Sequence, residues 1–264
     1  MTGATGGRLA GKLAVVSGGS RGIGRAIATR FVQEGARVVI GARSAEPLRA
    51  AMAELNRSGE FCRGVGGDLS KAEAVEALAA AAAEWGGIDV LVNNVGGAPA
   101  GSFLKLTDEQ FLASWSLKFL AGVRLSRAAI PHMTERGAGS IINITGAGGR
   151  EPGPEAAVIA STNAAIRAVT KSLSREMAPR GIRVNAICPG NVRTERAVEL
   201  ARQTAASRGV TPEVVEAEGL RTTPTGRMVE PSEIAEIALM LAAGDVPSLT
   251  GAEIVVDGGR THFM

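Results

Sequence analysis

The sequence predicts an α/β fold, a parallel sheet covered by helices on both faces, and three observations lead there. Short apolar, β-branched runs alternate with segments of helical period along the whole chain. The first such run, Leu13 to Ser17, turns through Gly18-Gly19-Ser20-Arg21-Gly22-Ile23-Gly24 into a helical segment. No linker, low-complexity block or compositional break divides the 264 residues, so a single domain is expected over 1–264.

The elements follow in order. Residues 1–12 are glycine-rich without an apolar centre, which predicts a short flexible N-terminus, neither a signal peptide nor a membrane span. After the Leu13–Ser17 strand, Ile23, Ile27 and Phe31 fall on one face of a helix that Gly35 closes. A buried strand turning tightly into a helix aims the free N–H groups and positive dipole end of the helix at one point, which suits a phosphate. In that turn Gly18 allows the bend, Gly22 a close approach to a pyrophosphate, and Gly24 close packing of helix on strand; Ser20 and Ile23 lie on the same turn.

Ala36 to Ile40 is a second buried strand, ending in Gly41-Ala42-Arg43-Ser44. In a nucleotide-binding fold an acidic residue at this strand end reads the ribose 2′-hydroxyl of NAD. Here the position holds Arg43, and Arg21 projects from the glycine turn. Two guanidinium groups favour a 2′-phosphate, so the expected cofactor is NADP(H); the alternative is two solvated surface charges.

A helix over 46–56 and a strand over 61–65 bring the chain to Asp68-Leu69, where a carboxylate can accept from an adenine amino group. Ser70 and Glu73 form a capping-box pattern for the alanine-rich helix that ends near Trp85. A strand over 88–92 runs into Asn93-Asn94-Val95-Gly96-Gly97, which taken alone is also an ordinary turn. Thr107 and Gln110 form a second capping-box pattern, opening a long helix to about Pro131. A strand over 140–145, a Gly/Pro-rich loop, a helix over 156–177 and a strand over 182–188 follow, the last leading to Pro189-Gly190. The polar, loosely helical stretch 195–227 breaks the rhythm and reads as a lid over substrate. A helix over 231–243 and a strand over 252–256 complete the chain.

Composition narrows the function. The net charge of +3 is scattered, with no arm suited to nucleic acid. Cys62 and Cys188 make no disulfide framework, and with His132 and His262 give no metal-ligand spacing. A cytoplasmic protein acting on a small molecule is expected, with neither nucleic acid nor membrane as partner.

Several of these segments together resemble the classical short-chain dehydrogenases/reductases over nearly the whole length. Ser17 to Gly24 is similar to the family's TGxxxGIG, Asp68-Leu69 to its adenine-side motif, and Asn93-Asn94-Val95-Gly96 to its NNAG. Pro189-Gly190 with Val192 and Thr194 is similar to its PGxxxT, and Asp257-Gly258-Gly259 to its DGG. The general look is that of 3-oxoacyl-thioester reductases. The resemblance implies a Rossmann-like, doubly wound parallel sheet of about seven strands. It also implies a nicotinamide cofactor contacted by the residues named above, with Asn94, Gly96 and the Pro189–Thr194 segment on the nicotinamide side, and a homodimer or homotetramer.

The family's reaction residues do not carry over. Its tyrosine acid/base falls on Ile159, its lysine on Asn163, its serine on Gly146 beside Thr145, and its helix asparagine on Lys118, counted back from Ala128-Ala129-Ile130-Pro131. No shift of alignment restores the tyrosine, because the chain contains none. Lysine and asparagine are both present at exchanged positions, an exchange that resembles modular polyketide synthase ketoreductases, which nevertheless keep the serine and tyrosine. Three readings stay open. An oxidoreductase acting on a carbonyl, alcohol or conjugated enoyl substrate would use Lys118, with its pKa lowered by burial, and Asn163; Thr145, Ser161 or Thr162 would supply a hydroxyl. A silent NADP(H)-binding member would act as sensor or partner. A non-redox enzyme would use Lys118 and Asn163 to polarise a carbonyl.

Overall fold

The computed structural model describes residues 6–262. Its elements are β1 (Leu13–Ser17), α1 (Gly22–Gln33), β2 (Arg37–Ala42), α2 (Ala45–Leu55), β3 (Cys62–Gly66), α3 (Ala72–Glu84), β4 (Val90–Asn93) and α4 (Asp108–Ser114). They continue with α5 (Ala121–Glu135), β5 (Gly139–Ile144), α6 (Ala157–Met177), β6 (Ile182–Pro189), α7 (Glu195–Arg208), α8 (Pro212–Leu220), α9 (Pro231–Ala243) and β7 (Glu253–Val256). One seven-stranded sheet has the order β3-β2-β1-β4-β5-β6-β7. Every pairing is parallel, beginning with Leu13 opposite Arg37 and Ala14 opposite Val90.

Strand alternation builds a core on each face. Ala14, Val16, Val38 and Ile40 point to one side, where Ile27 and Phe31 of α1 and Ile234 and Leu239 of α9 cover them. Leu13, Val15, Val39 and Leu91 point to the other, beneath Leu78 of α3, Leu125 and Met133 of α5 and Met177 of α6. α1 ends as its sequence indicates. Gly35 has φ +83, its N–H donates to Val32, and Ala36 N–H donates to Phe31, closing a Schellman motif.

Chain order reverses between β1 and β4, and the loops at the carboxyl ends of those two strands open a crevice there. This switch point positions the site.

Three local expectations are corrected. Of the segment expected to be flexible, residues 1–5 lie outside the described residues; ahead of β1, Leu9 is 1% exposed within the core, and its N–H donates to Glu34. The Ser70/Glu73 capping box does not form. The Asp68 carboxylate takes the Ser70 N–H at 3.0 Å, and the helix begins after Lys71. The long helix expected from Thr107 does open with a capping box, Gln110 accepting from the Thr107 N–H at 3.0 Å. It is interrupted, however, by a π-helical segment, Trp115–Leu120, and then runs past Pro131 to Glu135. A proline inside a helix removes one backbone bond, and buried Ala129 and Met133 hold the helix through it.

Candidate active-site cleft

The glycine turn is built by residues that hydrogen-bond to one another. Ser17 Oγ, at the end of β1, accepts from the N–H groups of Asn94 (2.9 Å) and Val95 (3.2 Å) beyond β4. Asn94 Nδ2 returns bonds to the carbonyls of Ser17 (3.1 Å) and Gly18 (3.2 Å). Gly18 and Gly22 sit at φ +68 and +52, conformations that β-carbon-bearing residues rarely adopt. A side chain on Gly18 would meet Asn94 Nδ2 at 2.9 Å, and one on Gly22 would meet Thr194 Cγ2 at 3.1 Å. Gly24 lies behind the turn against the Gly18 carbonyl, packing helix to strand.

Two connected cavities extend from this turn. The first, of about 510 Å³, is bordered by Gly18, Ser20, Arg21, Arg43, Asp68 and Leu69. Arg21 and Arg43 are exposed, and neither makes an ion pair among the described residues. Asp68 is held below the usual carboxylate range, first by its bonds from Ser70 and then by the nearby charges of Arg43 and Lys71. The second cavity, of about 1190 Å³, takes in Gly22, Ile23, Asn94, Pro189, Gly190, Val192 and Thr194 along its floor. Gly96 borders both. Thr194 caps α7, its Oγ1 accepting from Ala197 N–H at 3.2 Å, which leaves the hydroxyl hydrogen for a ligand.

Lys118, Ile159, Asn163, Gly146 and Thr145 line the same second cavity. Lys118 stands in the π-helical segment, where the widened turn re-aims a side chain. Its stem passes over Gly96, where a β-carbon would come within 2.5 Å of Lys118 Cγ. Lys118 is half-buried, and its pKa is lowered to about 8, chiefly by withdrawal from water, with repulsion from Arg196 adding to the shift. Asn163 is 3% exposed, and its side-chain amide oxygen Oδ1 has no hydrogen-bond partner among the described residues. A β-carbon on Gly146 would lie 3.0 Å from Asn163 Nδ2, so the amide closes in on the position where the family's serine would project.

The hydroxyl candidates are engaged elsewhere. Thr145 Oγ1 lies 3.1 Å from the Ile187 carbonyl and 3.0 Å from Glu253 Oε1, with one hydrogen between them. Arg150 and Arg167 hold that carboxylate at 2.8 and 2.7 Å. Thr145 is thus a strut joining β5 to β6 and β7, not the free donor expected from sequence. Ser161 and Thr162 both donate back to Val158 within α6. Sequence reasoning placed Asn93 in the NNAG-like segment but not its bonds: its amide donates to Asn143 Oδ1 at 2.9 Å, while Asn143 donates to Thr170 on α6. It missed Arg196, which lines both cavities. Only the third dimension brings these residues together.

The described part of stretch 195–227 is more ordered than expected. α7 and α8 are joined by the Arg208–Glu218 pair at 2.6 Å, and Asn191 Nδ2 donates to the Gly219 carbonyl at 3.1 Å. Among the described residues no His, Cys, Asp and Glu side chains gather in a group able to hold a metal, and no helix is long and apolar enough to cross a membrane.

A doubly wound parallel sheet with a glycine turn at its switch point defines a Rossmann-like protein with a dinucleotide-shaped groove. Sequence comparison supplies the family. A family model described as enoyl-(acyl carrier protein) reductase matches residues 18–261. Oxidoreductase UcpA of Salmonella typhimurium is 39% identical over 259 residues, covering 97% of this chain and 96% of that protein. The 2,5-dichloro-2,5-cyclohexadiene-1,4-diol dehydrogenase LinX of Sphingobium indicum is 34% identical over 258 residues, 96% of this chain and 97% of LinX. Among solved structures, L-sorbose reductase from Gluconobacter frateurii, complexed with NADPH and L-sorbose, superimposes with TM-score 0.93 at 31% identity, covering 97% of this chain and 98% of that one. An actinorhodin polyketide ketoreductase variant with NADPH gives TM-score 0.91 at 33% identity over 98% of this chain and all of that one. The chain belongs to the short-chain dehydrogenase/reductase family of oxidoreductases.

Proposed function

We propose that this chain is an NADP(H)-dependent oxidoreductase acting on a carbonyl, alcohol or conjugated enoyl substrate through an active site without tyrosine. One observation carries the reading: Lys118 and Asn163 share a single cavity with the glycine turn and the Pro189–Thr194 segment. The groove fits the cofactor, because its positive-φ glycines leave room for a phosphate and Arg21 and Arg43 make no ion pair among the described residues. NADPH-complexed relatives of the same fold support the choice of nucleotide.

Bound NADPH would supply a hydride to the substrate carbon. Lys118 then stabilises or protonates the oxygen with an ammonium whose pKa of about 8 lies close to working pH. Asn163 turns its amide to the same oxygen or to the nicotinamide ribose. Thr194 donates to the nicotinamide side. The stretch 195–227 serves as the lid of a single-domain enzyme that assembles as a homodimer or homotetramer.

A second reading, NADP(H) binding without turnover, is favoured by Ile159 and Gly146, which border the cavity and carry no proton donor. Titrating NADPH and NADH into the protein and following NADPH absorbance with ketones and enones separates the two. Tight NADPH binding with turnover that collapses in Lys118→Ala supports the oxidoreductase. Binding without turnover moves the protein to the silent class.

A further inference from the structure

We propose that Arg196, on the first turn of α7, clamps the pyrophosphate of the bound dinucleotide from the side opposite the glycine turn. The inference rests on the NADP(H) reading above and assigns a residue that the family motifs do not contain.

Position is the first argument. A dinucleotide lying along the groove has its adenosine in one cavity and its nicotinamide in the other, so its pyrophosphate lies where the two meet. Arg21, Arg43, Gly96, Ala98, Pro99 and Arg196 border both cavities. Of the three cations, Arg21 and Arg43 come from the turn and strand end that face the adenosine ribose, whereas Arg196 comes from the lid. The Arg196 guanidinium lies against Gly97, where any side chain would overlap it.

Charge is the second. The neighbouring arginines are paired: Arg193 with Glu230 at 3.1 Å, Arg202 with Glu199 at 4.0 Å and Arg208 with Glu218 at 2.6 Å. Arg196 makes no ion pair and no side-chain hydrogen bond among the described residues. Two carboxylates do border the cavity. Glu199 is engaged by Gln203 at 2.9 Å and by Arg202, and Glu195 is directed toward Gly22, 3.9 Å from where a β-carbon would stand. Among the described residues Arg196 is left without an ion pair in the cavity it shares with Lys118, and the two charges repel. A guanidinium left without such a pair suits a phosphate through paired, charge-assisted bonds.

The 2′-phosphate and the pyrophosphate can be separated experimentally. Calorimetric titration of wild type, Arg196→Ala, Arg196→Lys and Arg43→Ala would use NADPH, NADH and 2′-AMP, the last carrying a 2′-phosphate without a pyrophosphate. Arg196→Ala is expected to weaken NADPH and NADH alike, about 10–100-fold, and to leave 2′-AMP and the unliganded Tm unchanged. Arg196→Lys recovers part of the loss, and Arg43→Ala weakens NADPH and 2′-AMP while sparing NADH. Unchanged NADPH binding in Arg196→Ala would overturn the clamp. Equal loss of NADPH and 2′-AMP binding would also overturn it by moving Arg196 to the 2′-phosphate. If wild type bound no nucleotide at all, the cofactor reading itself would fall first.

Discussion

The two cavities of the groove are built on opposite principles. Around the glycine turn the polar groups satisfy one another: Ser17, Asn94 and the Gly18 carbonyl form a closed set, and Asp68 is held by Ser70. On the reaction side polar capacity is left over. Among the described residues the Asn163 side-chain amide oxygen is buried and unbonded, and Lys118 is drawn out of water near Arg196, which has no ion pair. A buried group without a partner costs about 1–3 kcal/mol, and it persists where a ligand completes it. The first region is a rigid platform that the fold supports by itself; the second is incomplete until something binds.

The largest test of that contrast falls on Lys118. If Lys118 is the acid, Lys118→Ala lowers the rate of NADPH oxidation about 10²–10⁴-fold, with NADPH affinity kept. An equal rate in the variant would assign the chemistry elsewhere. The pH profile gives the same assignment without mutation. A lysine lowered to about 8 is protonated below that pH, so reductive rate is full there and falls about tenfold per unit above it. The sign for stability is opposite. Because the folded state disfavours the charged form, stability rises as pH climbs from about 8 toward the ordinary lysine value of 10.5.

On the platform side, removing both Arg21 and Arg43 lowers NADPH affinity about 10–100-fold and leaves NADH binding near its starting level. Loss of both nucleotides together would show that these arginines do not read the 2′-phosphate. The two asparagines sharpen the comparison with the smallest effects. Asn94→Ala breaks a satisfied set and costs about 1–3 kcal/mol, a Tm fall of several degrees. Asn163→Leu removes an unbonded acceptor at similar volume and raises Tm by a few degrees while lowering turnover. If both variants lost stability equally, the reaction side would be no less satisfied than the platform.

How much of this was legible followed the range of the interactions involved. β1 and α9 occur at the boundaries their sequences indicate and α1 closes at Gly35, because apolar period, Gly35 and Pro231 are local signals. The Thr107/Gln110 box formed for the same reason, whereas Ser70/Glu73 did not, since Asp68 competes for the Ser70 N–H. The π-helical segment carrying Lys118 leaves no trace in apolar period. Thr145 was misjudged because its partner Glu253 lies 108 residues away, and Arg196 was missed because its place is set by the packing of α7 against the β4 loop. Glycine turns and strand ends can be read from neighbours in the chain. Unpaired groups can be recognised only once every potential partner has been located.

The most direct measurement is NADPH consumption across a panel of ketones and enones, wild type beside Lys118→Ala at pH 7 and pH 9.5. The account predicts NADPH-dependent turnover at pH 7 that falls about tenfold or more at the higher pH and nearly vanishes in the variant. Bound NADPH with no turnover, or turnover indifferent to Lys118 and to pH, would contradict it.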